Sequence, residues 1–149
     1  DVFPAVERLI AHNSELSKKA EEFHKLRNQT QAAEIEKRLE VRASGEWYVN
    51  TLNFPTDNLK EIGAILRAKH PDLVYITGTT IGDKPSLVVA LGDNITAAGA
   101  NAGAIVKEAA KQMQGGGGGQ ASIATAGGKN LDMLGAAIDA AVQAVNKVL

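Results

Sequence analysis

The sequence predicts an α/β fold: a long N-terminal helical arm followed by a small mixed β-sheet packed with α-helices. Three observations carry this expectation. Residues 1–42 hold eight basic residues, eight acidic ones and no glycine, the composition of a long exposed helix. From Gly45 onward, β-branched and aromatic runs alternate with apolar stripes at helical spacing. Eleven of the fifteen glycines then fall between Gly82 and Gly128, where turns and close backbone approach are to be expected.

The arm comes first. Pro4 stands where proline is tolerated, at a helix start. Behind it Val6, Leu9, Ile10, Leu16, Ala20, Phe23, Leu26, Ala33 and Leu39 recur at spacings of three, four and seven, predicting a helix from about Pro4 to Val41. At about 1.5 Å per residue it would run roughly 55 Å, longer than a small domain is wide, so much of it has to project or find a partner. Leu9, Leu16 and Phe23 are one heptad apart and are the candidate self-association residues. Asn13, Arg27 and Thr30 interrupt that seam, which leaves open a short coiled coil, a helical hairpin, or a helix packed on its own domain.

Ala43-Ser44-Gly45 ends the arm, dividing a helical unit, residues 1–44, from a globular one, residues 45–149. Trp47 to Leu52 reads as a strand, broken by Pro55 and Thr56. Asp57 or Asn58 is positioned to cap a helix carrying Leu59, Ile62, Ile65 and Leu66, which ends at His70-Pro71. Leu73 to Thr77 and Leu87 to Leu91 read as strands joined across Gly82-Asp83-Lys84-Pro85, a hairpin. A helix over about Ala97 to Met113 follows, with Gly99 and Gly103 placed for close packing. After the glycine run Gly115 to Gly119 come a short extended stretch, Ala121 to Ala126, then Gly127-Gly128-Lys129 and a last helix from about Leu131. The first two strands, linked by a helix, should be parallel and the hairpin antiparallel.

Composition narrows the function. With 149 residues, 44% hydrophobic, 22% charged and a net charge of -1, the chain has the make-up of a soluble folded protein and not of a disordered tail. The absence of cysteine excludes a disulfide framework, a thiolate nucleophile and a Cys-ligated zinc, and fits a cytoplasmic location. The N-terminus has no basic region followed by an apolar core, and no run reaches membrane-span length. Near-neutral charge argues against a strongly basic nucleic-acid binder but leaves room for a local basic face.

No catalytic residue and no metal site is expected. His12, His24 and His70 lie outside helical reach of one another, and no acid completes a metal-ligand spacing. Serines are few and none occupies a nucleophile elbow. Acid pairs such as Glu21-Glu22 belong to the charge-laced arm.

The most unusual feature is the glycine run. As composition alone it reads as a flexible linker, yet it lies between two strongly apolar helices. Glycine backbone lets N–H groups come close to phosphate oxygens. No Gly-Lys-Ser/Thr follows and no strand precedes it, so it is not a nucleotide P-loop. Lys107 and Lys111, at i and i+4 on the preceding helix, share a side. Lys129 adds a third positive charge beside the second glycine pair. Together they make a modest phosphate-backbone site, indifferent to sequence.

Gly115 to Gly119, then Gln120, a short strand, and Ala126-Gly127-Gly128-Lys129 followed by an apolar helix, resemble the C-terminal domain of alanyl-tRNA synthetases, the DHH-associated module. The likeness covers about residues 46–149, and the arm resembles the coiled-coil segment that precedes that domain. The resemblance implies a non-catalytic part of a class II synthetase, cut from a larger protein, as the start at Asp1 also indicates. It implies tRNA for alanine as partner, gripped at its outer corner so that aminoacylation and editing act on one molecule, with dimer formation in some members. The implied tRNA-binding residues are Lys107, Lys111, Gly115, Gly116, Gly117, Gly118, Gly119, Gln120, Gly127, Gly128 and Lys129. ATP and zinc would belong to other domains of the parent enzyme, with no cofactor in this part. Two alternatives remain: the substrate-binding domain of a DHH-family phosphoesterase or nuclease, and a self-association module in which the glycines only connect. Against the first, that family carries Gly-Gly-Gly-His where Gln120 follows the glycines here.

Overall fold

The computed structural model describes residues 2–42, 45–51 and 59–149. The elements are α1 (Val2–Glu36), β1 (Glu40–Arg42), β2 (Gly45–Thr51), α2 (Leu59–Lys69), β3 (Leu73–Ile81), β4 (Lys84–Leu91), α3 (Asp93–Ala97), α4 (Ala102–Gln112), β5 (Gly116–Gly119), β6 (Ile123–Gly127), a 3-10 turn (Leu131–Met133) and α5 (Leu134–Val148). The expected capping by Asp57 or Asn58 and the break at Pro55 and Thr56 lie outside the described residues.

Six strands form one mixed sheet in the order β1-β2-β3-β4-β6-β5. β2 and β3 are parallel, with Trp47 opposite Val74 and Val49 opposite Ile76. β3 and β4 form the antiparallel hairpin, Ile76 opposite Val89. Both relations were expected from the connections. Both faces of the sheet are covered, which explains why Leu73-Val74-Tyr75-Ile76 and Leu87 to Leu91 are continuous apolar runs instead of alternating ones. Val74, Ile76, Leu87, Val89 and Leu91 join the core beneath α4 and α5, with Val106, Met113, Ile138 and Val145. Leu73, Tyr75, Val88 and Ala90 face the other way, onto Leu59, Ile62 and Leu66 of α2.

The arm is a helix, but it stops at Glu36 instead of Val41. Residues Glu40–Arg42 pair antiparallel with β2 as a short edge strand. Glu, Arg, Lys and Leu all favour helix locally, and sheet pairing overrides that preference. A short, charged strand is also the usual way to blunt a sheet edge. Only the last turns of α1 pack on the body, where Ala32 and Ile35 join the α2 side of the core. Leu9, Leu16 and Phe23 are 62%, 50% and 65% exposed. The helix expected over Ala97 to Met113 is two helices. Gly99, at φ +110°, breaks the chain between them, and Asn101 restarts it by accepting the Ala104 N–H at 3.1 Å. Gly103 does mark close packing, since a Cβ there would stand 2.9 Å from the carbonyl oxygen of Gly119. Among the described residues no helix is long and apolar enough to cross a membrane.

Candidate nucleic-acid interface

The glycine run is a strand, neither a linker nor a loop. Gly116 to Gly119 pair with Gly127 to Ala124 of β6 and form one edge of the sheet. Glycine is a poor strand former, so the pairing has to be explained by what side chains would do here. A Cβ on Gly117 would lie 2.5 Å from the Ala126 Cα, and one on Gly119 2.7 Å from the Ala124 Cα. A Cβ on Gly115 would collide with the Gly127 carbonyl. These glycines are required by the fold.

Gly116 and Gly118 are different. Successive strand residues face opposite ways, and a Cβ on Gly116 would meet nothing within 4 Å. A Cβ on Gly118 would meet only Cε of Lys107, at 3.8 Å. Nothing among the described residues requires these two positions to lack a side chain. The result is a strip of bare backbone with a lysine stem beside it. The Gln120 N–H bonds the Ile123 carbonyl at 3.0 Å. By antiparallel alternation Gly118 and Gly116 then exchange hydrogen bonds with β6, and the N–H groups of Gly117 and Gly119 point away from it.

The second glycine pair is seated on the end of α4. The Gly115 N–H bonds the Ala110 carbonyl at 2.9 Å and the Gln114 N–H that of Lys111 at 3.3 Å, with Gln114 at φ +55°. This is a Schellman end in which glutamine holds the position glycine usually fills. The Met113 carbonyl accepts from Lys129 at 2.9 Å and from Asn130 at 3.0 Å. Gly128 lies so close that a Cβ would stand 2.6 Å from that oxygen.

The three expected lysines have different neighbours. Lys107 runs along Gly118. Lys111 is paired with Glu108 at 3.0 Å in an exposed i, i+3 contact, worth at most about 1 kcal/mol. Lys129 lines a cleft of about 300 Å³ with Lys84, Pro85, Gln114, Gly115, Gly127 and Gly128. The sequence reads Lys84 only as part of the turn of a different hairpin, not as a site residue. What brings it here is the sheet order, fixed locally by the Gly128 N–H donating to the Pro85 carbonyl at 3.1 Å.

A larger cleft of about 490 Å³ lies toward the opposite edge, lined by Val41, Arg42, Gly45, Glu46, Lys69, His70, Pro71 and Asp72. Much of its charge is already matched: Arg42 with Glu40 at 2.7 Å, Lys69 with Glu36 at 3.7 Å, and His70 between Glu36 and Glu46. His70 follows the end of α2, as expected, but it also holds these two carboxylates. They are 34 and 24 residues away in sequence, out of reach of any spacing argument. His12 and His24 stand on the exposed part of α1.

Residues 46–148 match the family model described as the DHHA1 domain. The chain belongs to the DHHA1 domain family. Beyond that match, the chain is 38% identical over 140 residues to the alanine–tRNA ligase of Bacteroides fragilis, covering 93% of the chain and 16% of the ligase. The ligase of Bacteroides thetaiotaomicron is also 38% identical, over 144 residues, with the same coverage. The chain thus spans about a sixth of the length of the curated relatives it matches. In fold the domain is similar to the C-Ala domain of alanyl-tRNA synthetase from Aquifex aeolicus, with TM-score 0.63, 24% identity, and coverage of 72% of this chain and 96% of that one.

Proposed function

We propose that this DHHA1 domain is the non-catalytic tRNA-binding part of an alanine–tRNA ligase, holding the outer corner of tRNA for alanine on the bare backbone of β5. The observation that carries the reading is the strip at Gly116 and Gly118, glycine where the fold has no need of glycine. A sugar-phosphate chain can lie against such a surface more closely than side chains would allow, and edge N–H groups are suitable donors to phosphate. Lys107 and Lys129 supply charge at the two ends of the β5–β6 hairpin, with Lys111 on the same helix as Lys107. The similarity to alanine–tRNA ligases supports tRNA over other polyanions.

In this reading the rest of the parent ligase, in the cytoplasm, carries aminoacylation and editing, with their ATP and zinc, while this part keeps both centres on one tRNA. The arm adds a second role: Leu9, Leu16 and Phe23, exposed at heptad spacing, pair two copies. Filter binding of a tRNA transcript tests the first role. About three phosphate contacts give a slope near -2 to -3 in log K against log salt. The triple variant Lys107→Ala, Lys111→Ala, Lys129→Ala should lose most of that slope; unchanged affinity would sink the reading.

A further inference from the structure

We propose that the cleft between Lys84, Gln114 and Lys129 seats one phosphate of the bound RNA, as a contact separate from the one along β5. The inference rests on the tRNA-binding reading and extends it to two residues, Lys84 and Gln114, that the sequence did not bring forward.

Charge is the first argument. Two of the seven lining residues are lysines and none is acidic, in a chain whose net charge is -1. Lys84 and Lys129 are both exposed, and neither has an ion-pair partner among the described residues. They come from different hairpins, so tertiary structure alone holds two like charges on one small cleft. An anion seated between them would draw on both charges. The cleft near His70 is the reverse case, with its charges largely matched internally.

The cleft floor fits an anion as well. The Pro85 carbonyl oxygen on its lining is already engaged by the Gly128 N–H at 3.1 Å. Glycine at 115, 127 and 128 leaves the walls without side chains.

Gln114 is the second, independent argument. It is the one non-glycine residue with positive φ among the described residues, at +55°. Glycine would meet the Schellman geometry with no steric cost. A strained residue kept at the lip of a cleft points to use of its side chain. Here that is a carboxamide whose NH₂ can donate to a phosphate oxygen.

The test uses the 149-residue chain, a tRNA transcript, and titrations at several salt concentrations. Lys84→Ala should weaken binding roughly three- to tenfold and reduce the salt slope by about 1. Gln114→Gly should raise the melting temperature and yet weaken binding, a combination that a purely structural role for Gln114 does not give. If Lys84→Ala and Gln114→Gly both bind like wild type while Lys107→Ala is weakened, the cleft inference is overturned and the β5 reading stands. If the wild-type chain itself does not bind tRNA, both fall.

Discussion

His70 fastens the arm to the sheet through Glu36: its Nε2 lies 2.9 Å from Oε1 of Glu36, at the end of α1, while Nδ1 lies 2.6 Å from Oε2 of Glu46 in β2. Ionised carboxylates only accept hydrogen bonds, so both ring nitrogens must donate and the imidazole is charged when both contacts are made. Burial of His70 works against that charge, but the hydrogen bonds and negative charges of Glu36 and Glu46 outweigh it and raise its pKa above 6.5. The hydrogen bond from His70, helped by the charge of Lys69, holds Glu36 below its ordinary 4.5.

The pH dependence follows from those directions. A raised histidine pKa stabilises fully below the unfolded value of 6.5 and loses that stabilisation as pH rises through the folded value. A lowered carboxylate pKa stabilises above 4.5 and loses it as pH falls through the folded value. The arm contact is therefore strongest between about 4.5 and 6.5 and weakens at alkaline pH. Thermal melts of wild type and His70→Gln at pH 5.5 and 8.5 check this, both values lying on either side of roughly 6.5. Wild type should lose stability at the higher pH and the variant should lose less; equal losses would contradict the account.

Gly128→Ala should be costly. The added methyl would land on Met113, whose side chain is fully buried and whose carbonyl holds Lys129 and Asn130. Overpacking of this kind destabilises by about 1–3 kcal/mol. The urea midpoint should fall accordingly, while Gly135→Ala, where a Cβ meets nothing within 4 Å, serves as the tolerant control.

Self-association through the arm predicts a concentration-dependent dimer in sedimentation equilibrium. Leu16→Asp should shift it to monomer with little effect on the melting of the body, because Leu16 is half exposed. A strict monomer at high concentration removes this role.

Gln114→Gly should stabilise the fold on its own account. Relief of a left-handed non-glycine residue is worth about 1 kcal/mol, and in a chain of this size about 2–4 °C in melting temperature. A fall in melting temperature would show that the glutamine side chain holds the Schellman end together.

Much of the fold was legible because its signals are local. The apolar runs at Leu73 and Leu87, the helical stripe of α2 and the Gly82-Asp83 turn each follow from neighbouring residues. Their connections then dictated which strands are parallel. What escaped is tertiary in origin. Glu40–Arg42 become a strand only because β2 offers an edge, and Gly99 reads as packing until its backbone is seen to turn left-handed. The glycine run carries no strand propensity at all; β6 imposes it. The candidate site is legible in part for the same reason: its glycines and Lys129 lie near one another in sequence, whereas Lys84 comes from another hairpin and the pairing of Lys111 with Glu108 is a matter of side-chain placement.

The central claim is that bare backbone at Gly116 and Gly118 meets RNA. The double variant Gly116→Ala, Gly118→Ala isolates it, because a Cβ has room at both positions. Alanine there should leave stability unchanged or raise it, by about 0.4–1 kcal/mol per site through a less disordered unfolded chain. Affinity for tRNA should meanwhile fall by about tenfold or more, equivalent to at least about 1.4 kcal/mol of binding energy. Wild-type affinity in a stably folded double variant would contradict the account.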